Sequence, residues 1–241
     1  VRGVFVTGTG TEVGKTVVAA AIARTLSAGG ANVAVFKPAV TGLEEPPADE
    51  PKSAQIGRFE AHRPDHVVLR AAAGSTQSDE EIAPYRYGPP MSPHLAATLA
   101  GEKIDPARLL AAARAAADGA DALICEGVGG LLVPLSPDYL VRDFAVDLGL
   151  PLVIAASPGL GTINHTLLTI EAGRSGGLEV AAVILTPWPD DPSPIEESNR
   201  ETITALGKVE VETLPRLDLD SPSSWPPLAL PPGRPAPSHP D

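Results

Sequence analysis

The sequence predicts an α/β fold, a doubly wound and mostly parallel sheet with helices on both faces. Two observations carry that expectation. Strand-like and helix-like segments alternate along the chain. Most strand-like segments are continuous apolar runs, as parallel strands covered on both faces require. The length, 241 residues, suits one such domain with a buried core. Strands are expected at 4–7, 32–36, 122–126, 152–156, 180–185 and 208–212, and helices at 15–28, 53–61, 93–100, 106–118, 141–148, 163–174 and 195–206. Residues 1–217 are read as a single domain. Residues 218–241 are read as a disordered tail, because from Ser221 onward the chain holds eight prolines and no periodic pattern. Residues 43–52 form a polar, proline-rich loop.

The first strand runs into the densest chemistry. The opening VRGVFVTGTGTEVGKT joins an apolar run to glycines at Gly8, Gly10 and Gly14, followed by Lys15 and Thr16. Val18, Ile22 and Leu26 then repeat at helical spacing. Strand, glycine loop, Gly-Lys-Thr and helix is the context in which backbone N–H groups curl around phosphate oxygens and a helix N-terminus adds its positive end. Lys15 is placed to reach the β/γ-phosphates, and the Thr16 hydroxyl to ligate Mg²⁺. The usual pattern has a glycine five residues before Gly14. Here Thr9 stands there, and Gly8 makes the loop one residue longer.

The other strands end in residues of matching chemistry, and in such sheets ligands sit at the strands' carboxyl ends. The second ends in Lys37, followed by Pro38 and a short run to Gly42, which places a cation beside charge developing on a transferred phosphoryl group. The third, ALICEGVGG, ends in Glu126, a natural Mg²⁺ ligand, and Gly127, Gly129 and Gly130 allow close backbone approach. Ser92 and Pro93 read as N-cap and first helical residue. The stretch from Gly159 to His165 opens another helix, a second N-terminus able to receive an anion.

Composition narrows the partners. The net charge of −12 argues against nucleic acid or an anionic membrane as the main partner. No apolar stretch reaches the ~18 residues of a membrane span, and a cytoplasmic location is expected. The single cysteine, Cys125, lies in an apolar run, so no disulfide framework exists.

The segments GTGTEVGKT, FKPAVTG, PPMSPH, CEGVGGLLVP and GTINHTLLT stand in the order and spacing of the dethiobiotin synthetases. The chain resembles this family of biotin-pathway cyclo-ligases of the P-loop NTPase type. The resemblance spans roughly Val4 to Leu168 and continues more weakly to about Leu217. It implies that 7,8-diaminopelargonate, CO₂ and a Mg²⁺-bound nucleotide, ATP or another such as CTP, give dethiobiotin. The route passes through a carbamate and a carbamic-phosphoric anhydride. By similarity the catalytic groups are Lys37, Lys15, Thr41 and Glu12. The nucleotide contacts implied are Gly10, Thr11, Glu12, Val13, Gly14, Lys15, Thr16 and Val17, with Glu126 and Gly129, Thr186, and Leu214, Pro215 and Arg216. Thr16 and Glu126 hold Mg²⁺. Lys37 and Thr41 meet the reacting substrate, and Gly161, Thr162, Ile163 and Asn164 of a partner copy in a homodimer receive its carboxylate.

Two departures from the family pattern stand out. A metal-binding Asp is expected six residues before an arginine of the second helix. Counting back from Arg58 gives Lys52, so Asp49 or Glu50 is expected to supply the carboxylate. An adenine-reading Asn is expected after 180–185, where Thr186 stands, and a hydroxyl matches the adenine edge less well than an amide. That substitution predicts relaxed base choice. Three readings compete with the synthetase. An amidating synthetase needs a glutaminase cysteine, and Cys125 sits inside a strand. A regulatory switch ATPase of the partitioning type carries a lysine at the position of Gly10. A degenerate homologue would bind nucleotide without turning it over.

Overall fold

The computed structural model describes residues 2–43 and 63–229. The expected helix at 53–61, Asp49 and Glu50, and residues 230–241 lie outside the described residues.

Six strands form one sheet in which every neighbouring pair is parallel: β1 (Arg2–Gly8), β2 (Val33–Phe36), β3 (Ala122–Glu126), β6 (Leu152–Ala156), β7 (Val180–Trp188) and β8 (Glu210–Pro215). Their spatial order is β2-β3-β1-β6-β7-β8, so β1 is central and the strand order reverses around it. The intervening β4 (Pro134–Ser136) and β5 (Tyr139–Leu140) make a separate small antiparallel pair. The helices are α1 (Lys15–Ala28), α2 (Asp65–Ala73), α3 (Asp79–Ile82), α4 (Pro93–Leu99), α5 (Pro106–Ala117), α6 (Val141–Leu148), α7 (Thr162–Ser175) and α8 (Pro194–Gly207).

Alternation along β1 explains how one strand serves two layers. Val4 and Val6 pack with α1 and α2 residues such as Ile22 and Leu69, while Phe5 points the other way. There it meets Phe144 of α6 edge-on, with ring centroids 6.0 Å apart. A third apolar cluster joins Ile154 and Val183 to Ile170 of α7 and Ile203 of α8.

The observed elements match the expected ones closely where apolar runs or caps mark them. α2, α3 and the β4–β5 pair were not anticipated. α2 does carry signs of a start and a stop, Pro64-Asp65 at one end and Gly74 in the left-handed conformation (φ 63°) at the other.

The tail reading is corrected for its first part. After β8 the chain turns back over α1, through a single 3-10 turn at Pro222–Ser224. Leu228 is buried in the α1-side core and its N–H donates to Thr25 Oγ1 at 2.9 Å. Trp225 packs against the same cluster, and its Nε1 donates to the Asp218 carbonyl at 2.7 Å. A proline-rich stretch without periodicity can still dock when its few apolar side chains each find a place in a core.

Candidate active site

The phosphate loop starts where β1 ends. Its glycines are dictated by space. A Cβ on Gly8 would stand 2.6 Å from Val13 Cγ2, and one on Gly14 would stand 2.5 Å from Thr186 Cγ2. Gly14 also has φ 90°, the left-handed region glycine favours. It is the N-cap of α1, a helix with no side-chain cap and no acid in its first turn. Its leading N–H groups are therefore left for an external anion. Lys15 Nζ donates to the Gly10 carbonyl at 2.6 Å, so the ammonium lies back across the loop. Glu12 (φ 61°) and Thr11 are exposed at the loop's tip, and Val13 and Val17 are partly buried.

Beside the loop, residues from four elements converge. Lys37, just past β2, is 3 % exposed, and its Nζ lies 2.6 Å from Glu126 Oε1 and 2.8 Å from Asp65 Oδ2. It also donates to the Gly127 carbonyl at 3.3 Å. Thr16 Oγ1 stands 2.9 Å from Asp65 Oδ1 and 2.9 Å from Glu126 Oε1. One hydroxyl has one proton and serves one of these two contacts, while Lys37 supplies the other donor to Glu126 Oε1. The second oxygen of Glu126 is buried without a partner.

The donor set of this cluster is of the oxygen type that a divalent cation takes. Two carboxylates and a hydroxyl leave room for the water and phosphate oxygens that Mg²⁺ usually keeps. Among the described residues no group of three or more His, Cys, Asp or Glu side chains is placed to hold a metal ion.

The charges are tuned by burial and by each other. Burial alone lowers the Lys37 ammonium's affinity for its proton, but the Asp65 and Glu126 carboxylates outweigh it and hold the pKa above its ordinary value. Asp65 goes the opposite way: burial raises it, yet Lys37 and the Thr16 hydroxyl bring it below the usual range. Burial wins at Glu126, whose pKa is raised in spite of Lys37. Lys15 is lowered to about 8, first by burial and then by the positive charge of Lys37.

Asp65 is the residue that sequence reasoning missed. It is the first residue of α2, and it joins Thr16 and Lys37 in the cluster. The expectation for Asp49 came from counting back from Arg58, whereas the described second helix carries Arg70. Arg70 pairs with Asp79 at the start of α3, and His66 is buried beside them, which fixes α2 against the domain.

Thr186, expected at the adenine edge, is packed against the phosphate loop. Its side chain is 2 % exposed, and its methyl group lies under Gly14. It supports the phosphate loop from below and offers no hydroxyl at the surface. Leu214 is likewise buried, while Pro215 ends β8 and Arg216 follows it, exposed. Thr41 is partly buried in a segment held by Val40, whose N–H donates to the Tyr85 carbonyl at 2.9 Å. Gly129 (φ 61°) is in the turn after Glu126. Cys125 is fully buried, and burial pushes its thiol well above its ordinary value, so it is no nucleophile.

Gly161 to Asn164 are not brought to this cluster. They follow β6, and α7 begins at Thr162 with Gly161 (φ 90°) as N-cap, no side-chain cap and no acid in its first turn. Leu160, just before them, is 98 % exposed.

A protein-family profile described as AAA domain matches residues 2–221. The ATP-dependent dethiobiotin synthetase BioD of Anaeromyxobacter dehalogenans (strain 2CP-1) is 44% identical over 80% of this chain and 80% of its own. The proteins of the same name from Bacillus subtilis (strain 168) and Acidiphilium cryptum (strain JF-5) are 35% and 36% identical, over 87% and 92% of this chain and 85% and 94% of their own. This chain belongs to the ATP-dependent dethiobiotin synthetase family. It is thereby an enzyme of the ligase class. Among solved structures, the MinC:MinD cell division complex of Aquifex aeolicus aligns with TM-score 0.51 at 16% identity, over 90% of this chain and 82% of that one. The Pyrococcus furiosus cell division ATPase MinD aligns with TM-score 0.50 at 15% identity, over 89% and 83%. At such identity the likeness speaks for the P-loop α/β fold alone.

Proposed function

We propose that the chain closes the ureido ring of dethiobiotin from 7,8-diaminopelargonate, CO₂ and a Mg²⁺-bound nucleoside triphosphate. The observation that carries this reading is the convergence of Lys37, Asp65, Glu126 and Thr16 beside a phosphate loop, in a chain whose relatives bear the synthetase name. One amine of the substrate adds to CO₂ and loses a proton to form a carbamate. The γ-phosphoryl group passes to a carbamate oxygen, giving a carbamic-phosphoric anhydride and nucleoside diphosphate. The neighbouring amine then attacks the carbonyl carbon and gives up a proton, the carbon–oxygen bond to phosphate breaks, and inorganic phosphate leaves, able to carry that proton, as the ring closes.

The residues suit a reaction that is mostly positioning and charge stabilisation. Lys37 is held charged by its two carboxylates and sits where it can hold carbamate and phosphoryl oxygens together. Lys15 exchanges its Gly10 carbonyl for the β/γ-phosphates. Thr16, Asp65 and Glu126 would hold Mg²⁺, which would supply charge neutralisation of the triphosphate. Thr41 contacts the reacting group, and Glu12 with Thr11 shapes the loop tip.

Two finer readings go with it. The protein acts as a homodimer, in which the α7 N-terminus of one copy takes the substrate carboxylate of the other. Exposed Leu132, Leu160 and Leu168 supply an apolar surface for that contact, and past Thr162, whose N–H meets the Gly159 carbonyl, the first turn of α7 has no side-chain cap. Base choice is relaxed, because no amide stands at the end of β7 and Thr186 is turned under Gly14.

The test is product formation from ¹³C-bicarbonate, diaminopelargonate and Mg²⁺ with ATP, CTP or GTP at equal concentration, read by mass spectrometry. Labelled dethiobiotin with more than one nucleotide is expected. Strict ATP selectivity would remove the base reading. Nucleotide binding without labelled product would leave a degenerate binder.

A further inference from the structure

Asn199 is a polar residue in the middle of α8, on the same face as Ile203 and Gly207 one and two turns on. It is 8 % exposed. Asn is a poor helix former, and a buried amide needs partners. Asn199 finds them outside its own helix. Its Nδ2 donates to the carbonyl of Pro158 at 2.8 Å and to the carbonyl of Gly159 at 3.1 Å. Both belong to the turn between β6 and α7. Gly159 O also accepts the N–H of Thr162 at 3.3 Å, so the same carbonyl is shared between the clamp and the first residue of α7.

The remainder of α8 is locked against α7 by packing. A Cβ on Gly207 would stand 2.9 Å from Ile170 Cδ1, and Ile203 lies in the same cluster as Ile170. α8 therefore grips α7 at two points, by close contact near its C-terminal end and by the Asn199 amide at the turn that starts α7. Between Pro158 and Thr162 the turn itself carries glycines at 159 and 161 and a leucine that is 98 % exposed. Two glycines and an unburied side chain give the turn little rigidity of its own.

We propose that Asn199 is a positioning residue for substrate recognition. By holding the Pro158 and Gly159 carbonyls inward, and through Gly159 the N–H of Thr162, it fixes the direction in which the N–H groups that follow Thr162 at the start of α7 point. This rests on the reading that those groups receive the substrate carboxylate of a partner copy. Asn199 touches neither substrate nor nucleotide.

Two variants test it. Asn199→Leu keeps the branched shape and the burial but has no donor. Asn199→Ser keeps polarity but lacks reach. For both, KM for diaminopelargonate rises by ~10-fold or more while the nucleotide Kd and the thermal midpoint stay near wild type. Amide hydrogen exchange of the peptide covering 158–164 speeds up, and that of the phosphate loop does not. An unchanged KM with unchanged exchange overturns the proposal, as does a loss that falls equally on nucleotide and diamine. If the wild-type protein itself makes no product from the diamine, the proposed function fails. Exchange across 158–164 then still decides whether the clamp exists.

Discussion

α1 and α7 start in the same way and face opposite circumstances. Each follows an interior strand, each has a glycine N-cap at φ 90°, and neither carries a side-chain cap or an acid in its first turn. By contrast α3, α5 and α8 are capped by Ser78, Asp105 and Ser193. The α1 start is surrounded by its own chain, with Lys37 and Glu126 buried and in contact beneath it. The α7 start is at the surface, with Gly161 and Asn164 exposed and Leu160 projecting beside them. An uncapped helix N-terminus is thus only half of a site, and what surrounds it decides whether one chain finishes the site. The cluster beside α1 is complete within one copy, and the α7 start is left at the surface, which is the contrast the proposed shared site rests on.

The largest effect expected from disturbing this contrast is at Lys37. Lys37→Met keeps length and burial but leaves Asp65 and Glu126 facing each other without a cation. Turnover should fall ~10³-fold or more in steady-state phosphate release, with nucleotide binding retained in calorimetry. Stability in the absence of Mg²⁺ should drop by about 3–5 kcal/mol in urea unfolding, because a buried charge has lost its partner. Retained turnover would remove Lys37 from the chemistry.

Asp65→Asn comes next. The Mg²⁺ concentration for half-maximal activity should rise ~10-fold or more, whereas Asp49→Ala should leave it in place. The reverse pattern would move the proposed metal carboxylate from Asp65 to Asp49.

The smallest effect is a proton. Burial, helped by Lys37, brings Lys15 to about 8 from its usual 10.5. Between those pH values the unfolded chain holds that proton and the folded one does not, so this group makes the nucleotide-free protein more stable as pH rises through the window. A triphosphate beside Lys15 restores the proton, and above about pH 8 nucleotide binding should take up protons. Calorimetry in two buffers of different ionisation enthalpy measures this. No uptake at pH 9 would mean that Lys15 does not meet the phosphates.

The same contrast explains what could be read from the sequence. β1 and β3 are apolar runs bounded by glycine or charge, β6 is one bounded by proline and serine, and α1 follows directly from Gly-Lys-Thr, so the phosphate loop, Lys37 and Glu126 could be placed on the chain before the fold was known. Asp65 could not. It lies beyond a long proline-rich stretch, and a register counted across a stretch of that kind has nothing to anchor it. Thr186 was placed correctly on the chain, but its burial depends on how closely β7 passes under Gly14, which is a property of packing. Asn199 left a faint trace, an amide on the apolar face of a helix, and only its partners across the turn give that trace a meaning. Leu228 misled because its neighbours are mostly proline.

The central claim is that one active site is built from the phosphate side of one copy and the α7 side of another. Co-expression of two inactive variants tests it most directly. Lys37→Met disables the first side. Asn164→Asp sets a negative charge where the substrate carboxylate should lie, and suits a helix N-terminus, so folding is spared. Each variant alone should be inactive with diaminopelargonate. Co-expressed in equal amounts, half of the dimers are mixed and each carries one intact site of two, which should restore about a quarter of wild-type activity. Recovery at that level is the result expected. No recovery in dimers verified as mixed would contradict a site shared between copies.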